Sequence, residues 1–380
     1  MGPLEGLRII EIAGIGPGPF CAMLLADMGA DVVRVDRLDS GGNPLERPAR
    51  SQVMHRNRRS IAADLKHPDA IAAIRKMCVS ADALLEGFRP GVMERLGLGP
   101  EDCARANPRL VYGRMTGWGQ DGPMASRAGH DINYVALSGV LGMLGRSGER
   151  PAPPLNVIGD MGGGGLLLAF GIVCALLEAR RSGRGQVVDA SMVEGSALLA
   201  STVYELRAAG WWDERRGSNL LDSGAPFYEV YETADGGFMA VGAIEPQFYA
   251  SLLAGLGLDA AELPPQMDPA AWPQLKERFA GIFSTRTRAE WSEAFEGTDA
   301  CVTPVLTLAE AALHPHNTER RTFLRPNGAL QAAPAPRFSR SRPEMRLPPP
   351  EPGEHSEAVL DEFGFGPEEI AALRRAGAIA

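Results

Sequence analysis

GLRIIEIAGIGPGPFCAMLLADMGADVVRVDR, residues 6 to 37, decides the fold class of this chain. Leu7 to Ile12 is an apolar-rich run of strand length, Gly14-Ile15-Gly16-Pro17-Gly18-Pro19 is a turn, Phe20 to Met28 reads as a helix, and Asp31 to Val35 is a second strand. Strand, turn, helix and strand in close succession predict a βαβ unit, and a βαβ unit predicts a parallel sheet.

The same stretch limits what that unit holds. Counted from Gly14 and Gly16, a dinucleotide fingerprint wants a small residue at position 19, where Pro19 stands, and Pro17 removes an N–H from the phosphate-facing turn. Asp36 occupies the place of a ribose-binding acid but does not restore the pattern. The unit is expected to serve as a scaffold rather than as an NAD site.

Working outward, Ala83 to Glu86, Leu110 to Met115 and Gln186 to Ala190 read as further strands, with Ile71 to Lys76 and Met93 to Leu96 helical. The strand from Leu110 runs into Thr116-Gly117-Trp118-Gly119-Gln120-Asp121-Gly122-Pro123, a glycine-rich loop at the expected C-terminal edge of the sheet, where α/β folds bind ligands. Farther on, Phe227 to Glu232 and Phe238 to Gly242 flank Ala234-Asp235-Gly236-Gly237 and predict a hairpin, with Glu245 just past it. Helices are expected around 247 to 255, 273 to 283 and 288 to 295, and a further strand from Cys301 to Leu306. The predicted fold class is therefore α/β, a Rossmann-like large domain over 1–190 and a smaller α+β domain over 225–325. Residues 191–224 form a helical linker between them, and 326–380 a proline- and arginine-rich connection followed by two terminal helices.

His130 and Asp160 stand out because each sits beside glycine in an otherwise apolar region. Asp160 ends the run PPLNVIGD and is followed by Met161, by Gly162 to Gly165, and by an apolar helix ending near Ser182, so it is expected to cap that helix. Glycine costs a helix roughly 1 kcal/mol per residue against alanine, so four of them imply a need for bare backbone. Either their N–H groups hold the oxygen of an enolate or tetrahedral anion beside Asp160, or they allow tight helix packing around an ordinary cap. His130 alone reads more readily as a satisfied structural imidazole than as a catalytic one.

Charge narrows the partners. Against 38 basic residues stand 47 acidic ones, a formal net charge of -9, which argues against general nucleic-acid binding or adhesion to anionic membranes and for a small-molecule partner. Arg47, Arg50, Arg56, Arg58 and Arg59 nevertheless fall in a stretch without any acid, with Arg34 and Arg37 just upstream. Such a cluster either suits a ligand with several phosphates, a nucleotide-based carrier for instance, or is a solvated loop. Five widely spaced cysteines without metal-ligand spacing suit a reduced, intracellular and most simply cytoplasmic protein, and His314 and His316 around Pro315 read as loop residues, so no metal site is expected. The N-terminus has no basic-then-apolar leader, and the apolar run at 166 to 177 is too short to span a bilayer, so no membrane insertion is expected.

Together with residues 6 to 37, the stretches AGHDINYVALSGVLGMLGRSGERP (128–151), GQVVDASMVEG (185–195), APFYEVYETADGGFMAVGAIEPQFY (225–249) and GEHSEAVLDEFGFGPEEI (353–370) resemble the alpha-methylacyl-CoA racemases of the family III CoA-transferase superfamily. The resemblance implies an interlocked homodimer whose large domain is completed by the C-terminus, and an acyl-CoA thioester substrate with no separate cofactor. By position it makes His130 and Asp160 an acid/base pair and Glu245 a supporting acid from the small domain. Arg37, Ala63, Asp64, Leu65, Lys66, Glu86 and Arg89 match CoA-contacting positions, and Gly129, Asp131, Ile132, Asn133 and Tyr134 the substrate loop. The implied reaction interconverts (R)- and (S)-2-methylacyl-CoA through an enolate, one acid/base group working on each face. A CoA transferase with Asp160 as nucleophile is the main alternative, and a non-catalytic acyl-CoA-binding protein a weaker one.

Overall fold

Strand β1 (Arg8–Ile12) pairs in parallel with β2 (Asp31–Asp36) on one side and β4 (Ala83–Glu86) on the other, so that Ile10 lies opposite both Val33 and Leu84. With β3 (Arg58–Ala62), β5 (Val111–Thr116) and β6 (Val187–Ser191) they form a six-stranded parallel sheet in the order β3-β2-β1-β4-β5-β6. This computed structural model describes residues 2–38 and 48–380. The chain divides into two compact units, Met1–Ser138 with Leu155–Leu199 and Glu319–Ala380, and Gly139–Pro154 with Ala200–Thr318.

In the first unit both faces of the sheet are covered, as a parallel sheet requires. Successive strand residues point to opposite faces, and the two cores separate accordingly. Ile10, Val33 and Leu84 pack with α2 (Pro68–Cys78), with Leu360 and Ile370 of the terminal helices Ser356–Glu362 and Pro367–Arg375, and with Phe363 between them. Ile9, Val32, Leu85 and Val111 pack on the other face with α1 (Pro17–Asp27) and with Leu168 and Ile172 of a long helix. The chain end joins the β3 edge: Ala380 donates its N–H to the Ala62 carbonyl at 3.1 Å, and Asp64 to that of Ala378 at 3.0 Å. The chain end therefore belongs to the same compact unit as the six-stranded sheet.

The arginine-rich stretch differs from both of its sequence readings. Instead of a loop it contains β3, and its guanidinium groups are taken by acids of the same unit. Arg58 is fully buried and pairs with Glu11 at 2.8 Å, while its terminal nitrogens donate to the carbonyls of Met54 and Pro19. Arg34 pairs with Glu11 and Asp36, Arg56 with Asp27, Arg59 with Asp31 and Glu362, and Arg50 with Glu354. A buried cation must be neutralised where it sits, so these side chains hold strands together and are not free for phosphate. Arg47 lies outside the described residues. Arg37, at the end of β2, is exposed and has no ion pair among the described residues.

The long helix also departs from expectation. It begins as a π-helix at Val157–Leu166 and continues as the α-helix Leu167–Ser182. Those 26 residues are long and apolar enough to cross a membrane by length and composition, contrary to the reading of 166 to 177 alone. The glycines extend the helix backwards, and Leu168, Ile172 and Leu176 are buried in the sheet core.

The second unit holds a three-stranded antiparallel sheet, β7 (Tyr228–Glu232), β8 (Phe238–Gly242) and β9 (Val302–Pro304), with the hairpin turn at Gly236 in the left-handed region. Helices Pro246–Leu256, Trp272–Phe283 and Arg288–Ala294 supply Leu252, Phe279, Phe283 and Trp291 to its core. Residues 139–154, expected in the large domain, belong here. The buried Glu229 binds Arg146 at 2.9 Å as well as Lys276 at 2.8 Å, a long-range pairing that local sequence does not display. Conversely, the helix Met192–Leu199, expected in the linker, belongs to the first unit.

Candidate active site

Because all six strands run the same way, their C-terminal ends share one edge of the sheet, and most of the sequence-predicted site residues follow those ends. The turn at Gly14 to Gly16 follows β1, Arg37 follows β2, Ala63 to Lys66 follow β3, Arg89 follows β4, and Thr116 to Gly122 follow β5. From the centre the chain moves to β2 on one side and to β4 on the other, the topological switch point at which open α/β sheets bind ligands.

His130 starts α5 (Asp131–Leu137) in extended geometry, with its backbone N–H donating to Asn133 Oδ1 at 3.0 Å and its side chain exposed. Asp160 is not the N-cap its sequence suggests. It lies within the π-helix, whose glycines carry the helix back past it, and its own N–H donates to Asp131 Oδ1 at 2.6 Å. The two residues, 30 positions apart in sequence, thus flank the same buried carboxylate. Burial pushes the Asp160 carboxyl above the usual carboxylate range, and the charge of Asp131 adds to that, while a hydrogen bond from Asn156 and the nearby His130 act in the opposite direction.

The remaining residues of the 129–134 loop divide by burial. Tyr134 is buried edge-on against Trp118 at 4.6 Å between ring centroids, and the absence of a side chain at Gly117 makes room for its ring. Its phenol is pushed up, first by burial and then by the charge of Asp160, with Arg89 acting the other way. Ile132 is exposed, whereas the Asn133 side-chain oxygen is occupied in capping α5. Gly129 abuts both aromatic rings.

Gly162 to Gly165 serve packing. A β-carbon at Gly195 would fall 1.9 Å from the Gly163 carbonyl oxygen, and one at Gly165 would fall 2.6 Å from that of Pro17. The π-helix therefore touches its neighbours backbone to backbone, and the reading of these glycines as an anion cradle is replaced by close helix contact.

Glu86 is a second correction. It is fully buried, one oxygen accepting from Arg114 Nε at 3.0 Å and the other from the Phe88 N–H at 2.7 Å, and burial pushes its carboxyl up to about 7. It shapes the turn after β4 and has no free oxygen for a ligand. Ala63 is buried, Leu65 packs against the core, and Asp64 accepts the Lys66 N–H at 2.9 Å. Exposed cations on this edge are Arg37, Lys66 and Arg89. Glu245 belongs to the second unit, exposed and at the N-cap of helix Pro246–Leu256.

A histidine and a carboxylate of raised pKa thus lie beyond the C-terminal edge of a parallel sheet, with exposed cations along the same edge, the kind of place where perturbed acids mark a candidate site. The chain belongs to CoA-transferase family III, whose family model matches residues 4–356. Alpha-methylacyl-CoA racemase of Mus musculus is 54% identical to it over 373 residues, covering 97% of this chain and 96% of that protein. Alpha-methylacyl-CoA racemase of Homo sapiens is 52% identical over 380 residues, with the same coverage. Among solved structures, a CAIB/BAIF family protein from Brucella suis superposes with a TM-score of 0.80 at 25% identity, covering 95% of this chain and 99% of that one.

Proposed function

We propose that this chain is a racemase that interconverts (R)- and (S)-2-methylacyl-CoA thioesters by 1,1-proton transfer. What carries the reading is that relatives bearing that activity in their names are more than half identical to it over nearly the full length of both chains. The thioester acidifies the proton on the neighbouring carbon, and its removal leaves a planar enolate. In one direction the Asp160 carboxylate takes that proton while protonated His130 delivers another to the opposite face; in the other direction the neutral imidazole is the base and the Asp160 carboxyl the acid. A carboxyl whose pKa is raised by burial suits both roles better than a fully exposed one. Glu245 is assigned a supporting role in this transfer.

The substrate's CoA phosphates are assigned to the exposed cations Arg37, Lys66 and Arg89, with Ala63 to Leu65 as neighbouring backbone and Asp131 to Tyr134 forming the loop beside the thioester. CoA arrives as part of the substrate and no further cofactor enters the scheme. A homodimer is supported by an exposed apolar face on the helix Leu167–Ser182 and the residue before it: Leu166, Phe170 and Leu177 are 53%, 66% and 59% exposed at helical spacing, with Leu198 and Leu199 also exposed in the same unit. The five free cysteines suit a reducing, intracellular compartment.

A CoA transferase using Asp160 as nucleophile is the second reading, and the high identity to racemases weighs against it. NMR with (R)- and, separately, (S)-2-methylacyl-CoA in D2O tests the choice. Deuterium entry at C2 with convergence of both enantiomers to one mixture is expected; acyl transfer to an added carboxylic acid without exchange would make Asp160 a nucleophile.

A further inference from the structure

The Asp160 carboxylate receives a side-chain donor from its own helix, at a residue that the sequence alone did not single out. Asn156, immediately before the π-helical segment, donates from Nδ2 to Asp160 Oδ2 at 3.1 Å. The same residue's carbonyl accepts the Met161 N–H at 3.2 Å, an i to i+5 bond that starts the wide turn. One residue therefore sets both the helix geometry around Asp160 and the environment of its carboxylate. The entry is conformationally unusual as well: Leu155, 80% exposed, has φ +58, a left-handed value that branched side chains avoid. Backbone held in such a region at a site points to a constraint on the neighbouring side chain.

The groups facing Asp160 are few. Asp131 holds its N–H, His130 lies nearby, and the Tyr134 phenol senses its charge, all three from the start of α5. Among the described residues, Asn156 is the one side-chain hydrogen-bond donor to its carboxylate.

We infer that Asn156 is a positioning residue for proton transfer, its amide fixing the Asp160 carboxylate in one orientation and favouring the ionised form over the neutral acid. This rests on the racemase reading. Burial and Asp131 push the carboxyl upward and the Asn156 donor opposes them, and the reaction draws on two singly protonated forms of the pair. Those forms are Asp160 ionised with His130 protonated, and Asp160 protonated with His130 neutral. They carry the same number of protons, and each is competent for one direction of the reaction.

The test is the pH dependence of kcat/KM for racemisation by Asn156→Ala and Asn156→Asp, beside the wild type, with deuterium entry at C2 followed in parallel. Loss of the donor is expected to move the acid limb to higher pH, so that activity on that side falls about tenfold, and Asn156→Asp is expected to move it further by adding a like charge. Thermal unfolding and the KM for the thioester should stay near wild type in the alanine variant. Should that variant not fold, Asn156→Ser is read in its place. If the wild type racemises and the folded variants keep its acid limb, the Asn156 assignment fails alone. If the wild type shows no exchange at C2, the racemase reading and this inference fall together.

Discussion

Gly16 lies so close to Asp160 that a β-carbon on the glycine would stand 2.9 Å from carboxylate oxygen Oδ2. In a dinucleotide-binding βαβ unit the turn after the first strand faces a phosphate. Here the protein's own carboxylate abuts that turn, and prolines at 17 and 19 withdraw two of the N–H groups a phosphate would use. Gly16 also has φ +66. Gly16→Ala is expected to cost about 1 kcal/mol of stability from the backbone alone and to lower kcat at least tenfold by displacing Asp160. Circular-dichroism melting and racemisation assays read the two effects separately, and wild-type turnover in the variant would mean that the carboxylate does not act from this position.

His130→Ala and Asp160→Ala are expected to leave the fold intact, since the imidazole is exposed and Asp160 is anchored through its backbone N–H. Each should lower racemisation by about 10²–10⁴-fold. Turnover within a few-fold of wild type in either variant would remove that residue from the acid/base pair.

Asp131→Asn tests the electrostatic coupling from the side opposite to Asn156. An amide oxygen can still accept the Asp160 N–H, but the like charge that raises the Asp160 carboxyl is gone. The acid limb of kcat/KM is therefore expected to move to lower pH, and a limb displaced upward would contradict the charge arrangement described here.

Arginines of one stretch should separate into structural and ligand-facing groups. Arg58→Ala removes a partner of the buried Glu11 and is expected to destabilise the protein by about 3–5 kcal/mol in denaturant unfolding. Lys66→Ala and Arg89→Ala, both exposed, should leave unfolding unchanged and raise KM for the CoA thioester several-fold. Equal stability of Arg58→Ala and wild type would contradict the network.

Glu86 predicts a pH dependence of stability. Its folded-state pKa of about 7 lies above that of an unfolded glutamate, so the folded protein holds a proton that the unfolded chain has released between about 4.5 and 7. Its contribution is present below the unfolded pKa and lost as pH rises to 7. Glu86→Gln should thus gain on wild type between pH 5 and pH 8, by up to about 3 kcal/mol, in urea unfolding at the two values. A constant difference would show that Glu86 does not titrate in this window.

Five of the six strands of the parallel sheet and the hairpin at Gly236 were legible in the sequence, which also singled out His130 and Asp160, whereas β3 was hidden in the arginine-rich stretch. Each rests on local pattern: apolar runs of strand length, glycine and proline at turns, and short motifs around chemically reactive side chains. The resemblance to the racemases likewise rests on contiguous stretches such as GHDINY. Tertiary structure decided what local pattern left open. It turned Asp160 from a cap into a π-helical residue, the four glycines from an anion cradle into a helix contact, and the arginine cluster into internal ion pairs. It also moved residues 139–154 into the second unit through Arg146 and Glu229. In every one of these cases the deciding partner is remote in sequence: Glu11 for Arg58, Gly195 for Gly163, Asp131 for Asp160. A charge or a bare backbone announces a need, but desolvation and close packing are satisfied by whatever the fold brings alongside, and that neighbour has no fixed spacing along the chain.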